Sequence, residues 1–243
     1  MSATKRLREL KTEGEFWKQY DISKYPRPSV TTDVVALSVQ EIPTDNYRSP
    51  SESRMSVLIV KRGAHPFKGE WALPGGFFKP GETVEECAAR ELKEETGLKG
   101  QRLIGIGTFS KPGRDPRGWI ISNAYLAIVA KSSSKVRGGD DAAEARWFPV
   151  DEVMSKKFKL AFDHKEIIEA ALARLRLGDA EELGFAFLPP EFTLAELQYV
   201  HEFIAGKELL GPNFRRKMMP LLVSMGNVQS NIGHRPAVLF KRR

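Results

Sequence analysis

The chain has 243 residues, of which 41% are hydrophobic and 28% charged. That is the make-up of a globular protein with room for one large domain or two ordinary ones. Cys87 is its single cysteine, which excludes an internal disulfide and fits a reducing compartment. The N-terminus, MSATKRLRELKTEGEFW, is too charged for a signal peptide, and no apolar run approaches the roughly 20 residues that span a bilayer, so a cytoplasmic location is expected. The formal charge of +7 sits at one end: residues 211–243 carry seven Lys/Arg and no Asp or Glu. A balanced body with a basic C-terminal segment suggests two units with different partners.

In chain order, Leu7–Tyr20 reads as a short amphipathic helix before the Pro-punctuated YPRPSV. VTTDVVALSV is a β-branched run typical of a strand, EIPTDNYRSPSESR a polar loop, and MSVLIVKR a second strand. Thr83 and Glu86 form a capping box that starts a helix at Val84, and Gly97 ends it. Val84, Ala88 and Leu92 make its inward stripe. LIGIGTFS, IISNAYLAIVA and EARWFPV read as strands. Asp163 with Glu166 caps a helix that carries Ile167, Ala171, Leu172 and Leu175 and closes at Gly178. EELGFAFLPPEF reads as a boundary. Beyond it, Thr193 and Glu196 cap a helix to about Ala205, with Phe192 and Leu197 as a staple. A second helix starts near Pro212, carries NFRRKMM and ends at Pro220; GNVQSNIGHRPAVLF then reads as two strands joined by an Asn/Gly turn. Two helices and a basic hairpin in under 60 residues outline a winged helix-turn-helix.

The helix from Val84 carries Glu91, Glu94 and Glu95 near its C-terminus, where the dipole disfavours anions and like charges three or four apart repel. A plain acidic solvated helix has no reason to accumulate both penalties. A bound Mg²⁺ or Mn²⁺ would remove them, because hard carboxylate oxygens suit those ions. Gly75 and Gly76 leave room for a carbonyl to approach such an ion. One carboxylate left off the metal could act as general base.

This stretch resembles the Nudix box at nine specified positions: Gly76, Glu82, Arg90, Glu91, Leu92, Glu94, Glu95, Gly97 and Leu98. The resemblance implies a Nudix α/β/α sandwich with a mixed sheet, α+β in class. It also implies that water attacks a nucleoside-linked diphosphate. Glu91, Glu94 and Glu95 would bind Mg²⁺ or Mn²⁺, Arg90 would orient them, and the Gly75 carbonyl would complete a coordination shell. Downstream, FSKPGRDPRGW resembles the RDPRG loop of Nudix domains that handle ADP-ribose. Arg114 and Arg117 can present bidentate donors to phosphate, with Asp115 between them; a loop anchored by an Arg114–Asp115 ion pair is the alternative. Asp140, Asp141 and Glu144 are candidates for a further site acid or a solvated turn, and no pattern chooses among them. Cys87, one turn before Glu91, reads as a small packing residue.

A Nudix domain followed by FTLAELQ, NFRRK and GHRPAVLF is similar to NrtR-type regulators, over about Tyr25–Phe240. The expected layout is a Nudix domain at 1–182, with an N-terminal extension at 1–28, and a winged-helix domain at 188–243. Asn213, Arg215, Arg216, Lys217 and Arg235 are the expected contacts to duplex DNA; a solvated helix face is the alternative for the three on the second helix. Both groups imply a homodimer. The first functional reading is an ADP-ribose pyrophosphatase yielding AMP and ribose 5-phosphate. The second is a DNA-binding regulator that senses ADP-ribose or a related NAD-derived or sugar metabolite. They are compatible, since hydrolysis of the inducer would reset the switch.

Overall fold

The computed structural model describes residues 12–43, 51–133, 135–136, 142–227 and 237–243. Thr12 and Glu15 exchange capping-box bonds at the start of α1 (Glu13–Gln19). α1 falls within the amphipathic helix expected over 7–20, whose first part lies outside the described residues, and no residue of α1 is buried. Its aromatic residues pack on each other instead: Phe16 stacks on Tyr20 at 5.1 Å and Tyr20 on Tyr25 at 5.8 Å.

β1 (Ser29–Pro43) pairs antiparallel with β2 (Ser51–Arg62) out to Pro43↔Ser51. The stretch read as a loop is therefore strand at both ends. Its main-chain ladder continues past Val39, where burial and the apolar signal stop. β3 (Trp71–Ala72) adds to β2, and β4 (Gly75–Phe77) adds to β1. After α2 (Val84–Thr96) come β5 (Leu103–Phe109), β6 (Ile120–Ile128) and β7 (Ala142–Pro149). The path β3-β2-β1-β6-β5 has β1 and β6 parallel and the other pairs antiparallel, which makes the sheet mixed.

β1 is buried on both faces. Val34 and Ala36 join Leu58, Ala88 and Leu92 beneath α2. Val35 and Leu37 join Ile167, Ile168 and Ala171 on the other face. Those last residues belong to α4 (His164–Arg176), which follows the short α3 (Val150–Met154). The expected α/β/α sandwich is thus present. One local expectation fails: the Asp163 side chain makes no cap bond to α4, because Arg114 takes its carboxylate.

α5 (Ala180–Ala186), capped by Asp179, occupies the stretch read as a boundary. The apolar residues there, Phe187 and Leu188, are core residues, which is why the chain folds on rather than running as a linker. Then come β8 (Phe192–Thr193), α6 (Leu194–Ala205), α7 (Gly211–Met218), β9 (Leu222–Asn227) and β10 (Val238–Arg242). The Thr193–Glu196 box forms, Gly206 stops α6 at φ 64°, and Pro220 lies in the 3-10 turn after α7. β10 is the middle strand between β8 and β9. This is a winged helix-turn-helix, with β8 as the strand that two residues were too few to signal.

The two units share a core. Leu197, Val200, Ile204, Phe214 and Phe240 belong to the same buried cluster as Val35, Val57 and Ile168. Polar contacts cross as well: Met55 N–H donates to the Tyr199 hydroxyl at 2.6 Å, and Lys131 bridges Glu41 at 2.6 Å and Glu196 at 3.1 Å. Among the described residues no helix is long and apolar enough to cross a membrane.

Candidate active site and nucleic-acid surface

A cavity of about 370 Å³ opens where β1, β4 and α2 meet the loops before β6 and α4. α2 supplies the acids. Its capping box and the left-handed Gly97 (φ 77°) fix both ends, and Cys87, Ala88 and Leu92 are buried beneath it. Glu91, Glu94 and Glu95 all line the cavity. β4 comes close because it has no side chains in the way: a Cβ on Gly75 would lie 2.1 Å from Thr32 O, and one on Gly76 2.4 Å from the Glu91 carboxylate.

Arg90 organises this edge. Its guanidinium donates to Glu82 at 2.9 and 2.7 Å, to Glu91 at 2.5 Å, to Glu94 at 3.0 Å and to the Phe77 carbonyl at 3.1 Å. Those bonds hold Glu82 down to about 2. Glu95 differs: it accepts the Gly75 N–H at 3.0 Å and makes no ion pair among the described residues. Burial pushes it up to about 8, with the carboxylates of Glu91 and Asp33 adding to the rise. Among the described residues no three His, Cys, Asp or Glu groups converge to hold a metal, because Arg90 holds two of the three glutamates. The donor chemistry itself, carboxylate oxygens with one buried acid outside any ion pair among the described residues, fits a hard divalent ion.

The cationic side differs from the expectation. Arg114 is bidentate, but on Asp163, with Nε–Oδ2 at 2.8 Å and Nη2–Oδ1 at 2.7 Å; Nη2 also lies 3.3 Å from Asp33. Only 4% of its side chain is exposed, and its fork is engaged by Asp163 where the residue lines the cavity. The alternative Arg114–Asp115 pair is also absent, since Asp115 takes Nε and Nη2 of Arg117 and the Arg117 N–H. Arg117 is 38% exposed and lines the cavity, its guanidinium 4.9 Å from the Phe77 ring.

Sequence reasoning missed three groups. Asp33 collects Arg114, the Ser122 hydroxyl at 2.5 Å and His164 Nε2 at 3.4 Å, while His164 Nδ1 accepts the Leu73 N–H. A lone acid inside VTTDVVALSV, a strand buried on both faces, was the signal. Arg62 ends β2 at the cavity, held by a 2.8 Å bond to the Pro66 carbonyl and by no ion pair among the described residues. Burial, then the charge of Arg117, pulls its pKa below the usual arginine value. Phe162 lies in the loop before α4, and no residue-type signal marked it. Of the candidate further acids, Glu144 sits on β7 paired with Arg146, apart from the cavity lining; Asp140 and Asp141 lie outside the described residues.

On the winged unit, α7 buries Phe214 and Met218 and exposes Asn213, Arg215, Arg216 and Lys217. The helix has no acid in its first turn, and Arg216 donates to Asn213 at 3.3 Å. Arg235 lies outside the described residues.

Residues 47–171, half of the chain, match the NUDIX domain. The chain belongs to the Nudix family. Residues 184–241 match the NrtR DNA-binding winged helix domain. This Nudix chain is 32% identical to the ADPR responsive transcriptional repressor NtrR of Acinetobacter baylyi, over 95% of the chain and 88% of that protein. It is 41% identical to the ADP-ribose pyrophosphatase of Methanocaldococcus jannaschii, over 63% of the chain and 79% of that protein. The crystal structure of Shewanella oneidensis NrtR complexed with a 27mer DNA superposes with a TM-score of 0.65 at 31% identity, covering 88% of this chain and 93% of that one. Both halves of the Nudix–winged-helix layout are therefore present in one known arrangement.

Proposed function

We propose that the chain is a DNA-binding regulator whose Nudix pocket takes ADP-ribose and whose winged helix holds duplex DNA as part of a homodimer. The observation that carries this reading is the shared core: a ligand at one unit can bias the other only if the two are mechanically joined, and here Tyr199 on α6 bonds the main chain of β2, the strand that ends at Arg62 in the pocket. The full-length likeness to an ADPR responsive repressor supports it. In this reading residues 1–182 form the ligand unit, with 1–28 as its extension, and 188–243 the DNA unit. Asn213, Arg215, Arg216 and Lys217 on α7 enter the major groove, and Arg235 meets backbone or minor groove.

A second activity is favoured by the intact box: hydrolysis of the effector to AMP and ribose 5-phosphate, as the likeness to an ADP-ribose pyrophosphatase suggests. Glu91, Glu94, Glu95 and the Gly75 carbonyl would hold Mg²⁺ or Mn²⁺. The chemistry such an ion supplies is neutralisation of diphosphate charge and acidification of a water. The chain's own residues do the rest. Arg90 orients Glu91 and Glu94, and the Gly75 N–H fixes Glu95. Arg62 and Arg117 meet the diphosphate, Asp115 holds Arg117 in place, and Arg114 ties the loop from beneath.

Turnover of ADP-ribose with Mg²⁺, followed as AMP release, separates the two activities. Glu94→Gln and Glu95→Gln are each expected to slow it by on the order of 10²-fold or more. Undiminished turnover in both folded variants would remove the metal assignment. Tight binding without turnover by the unaltered protein would leave the regulator alone.

A further inference from the structure

Phe162 has a feature that the ion-pair network does not explain. Its φ is +55°, a left-handed conformation that a bulky side chain rarely adopts. Phe67 has φ +62°, and the two rings meet edge to face at 4.8 Å. Strained residues of this kind persist where surrounding contacts over-determine them, and they gather at ligand clamps. Here the result of the strain is visible. The guanidinium of Arg62 lies 4.9 Å from the Phe162 ring centroid, and that of Arg117 lies 5.5 Å from it. One ring therefore serves two cations at the edge of one cavity. Like charges so placed repel; Arg117 is offset by its pair with Asp115, whereas the Arg62 guanidinium bonds only the Pro66 carbonyl among the described residues and is compensated at longer range by Glu95, Asp115 and Asp33. A ligand with two adjacent negative groups removes that repulsion; a ligand with one does so only in part.

We infer that Phe162 is a positioning residue that stacks Arg62 and Arg117 at a fixed separation, and that this pair selects a diphosphate over a monophosphate. The inference rests on the proposed reading of the pocket as a nucleoside-diphosphate site and adds the group that sets its phosphate specificity. Phe67 buttresses the ring, and Phe77 covers Arg117 from another side at 4.9 Å, which leaves Arg62 the cation most dependent on Phe162.

The test is calorimetric binding with divalent metal removed by chelation. The probes are ADP-ribose, AMP, inorganic pyrophosphate and inorganic phosphate. The proteins are the full chain, Phe162→Leu, Phe162→Tyr, Arg62→Ala and the Arg62→Ala/Phe162→Leu double variant. Phe162→Leu should weaken ADP-ribose and pyrophosphate by about tenfold and AMP and phosphate by much less, and Phe162→Tyr should restore the preference. In the Arg62→Ala background the Phe162→Leu change should have little further effect, because the two act as a unit. Equal losses for diphosphate and monophosphate, additive losses in the double variant, or no preference for pyrophosphate over phosphate in the unaltered chain would each overturn the inference. If the unaltered chain prefers pyrophosphate and loses that preference on Phe162→Leu, yet does not bind ADP-ribose, the clamp stands and the ADP-ribose reading falls.

Discussion

Arg114 lies bidentate on Asp163 while its Nη2 also reaches Asp33 at 3.3 Å, all three side chains being at most 10% exposed. Removal of one member of such a group leaves buried charges without compensation, at about 3–5 kcal/mol. Arg114→Ala is therefore expected to lower the midpoint of denaturant unfolding severely. Unfolding of Arg114→Ala within about 1 kcal/mol of the parent would mean that the network does not support the fold.

Arg117, two-fifths exposed on the same loop and paired with the buried Asp115, should affect the ligand more and the fold less. Arg117→Ala leaves the buried Asp115 carboxylate without its guanidinium partner, so a stability loss of about 1–3 kcal/mol is expected together with ADP-ribose binding weakened by roughly 1.5–3 kcal/mol, the range for a charge-assisted bond. Calorimetry that finds parental affinity in the folded variant would remove Arg117 from the ligand set.

Asp33 supplies a pH dependence. Burial raises its pKa, but His164, Ser122 and Arg114 outweigh that, and the net shift is downward from 3.8. A carboxyl whose folded pKa is depressed stabilises the fold fully above its unfolded value, and that stability is lost as pH falls through the folded value. Unfolding free energy should thus be flat in this term down to about pH 4 and fall below it. Asp33→Asn should flatten that acid limb, and an unchanged limb in the variant would mean that Asp33 is not the group responsible.

The Tyr199–Met55 bond and the shared core imply joint unfolding. A single cooperative transition is expected by both far-UV circular dichroism and tryptophan fluorescence. Tyr199→Phe leaves a main-chain N–H without its partner and should lower stability by about 1–3 kcal/mol. Two separated transitions in the parent would contradict the joined architecture.

What was legible from residue types follows a simple physical division. The box helix, its caps and the winged helix-turn-helix were legible because Thr83, Glu86, Thr193, Glu196, Gly97 and Gly206 act through bonds within a few residues of themselves. The Asp163 cap was misread because a partner 49 residues away, Arg114, competes for the same oxygens. The same pairing engages both donors of the Arg114 fork at the wall of the cavity. β8 and α5 were hidden because one is two residues long and the other sits among Gly and Pro signals that normally mark a boundary. Arg62 and Phe162 gained meaning only when folding placed them on one cavity, 100 residues apart in sequence.

The exposed cations of α7 make a further expectation. DNA affinity should fall steeply with salt, with a log–log slope of about −0.9 per neutralised phosphate. Arg215→Ala or Lys217→Ala should make that slope shallower by about one unit if the residue touches phosphate. A slope unchanged in all α7 variants would place the DNA contact elsewhere.

The proposed regulation depends on one coupling, in which ADP-ribose in the Nudix pocket changes how the winged helix holds DNA. Its most direct test selects a site from random duplexes, then titrates ADP-ribose into the complex with Mg²⁺ withheld, so that the effector is not consumed. The prediction is an enriched, near-palindromic site whose dissociation constant shifts by roughly 5–150-fold as ADP-ribose saturates, the usual range for a coupling of about 1–3 kcal/mol. A dissociation constant that stays fixed while ADP-ribose saturates the pocket would contradict it.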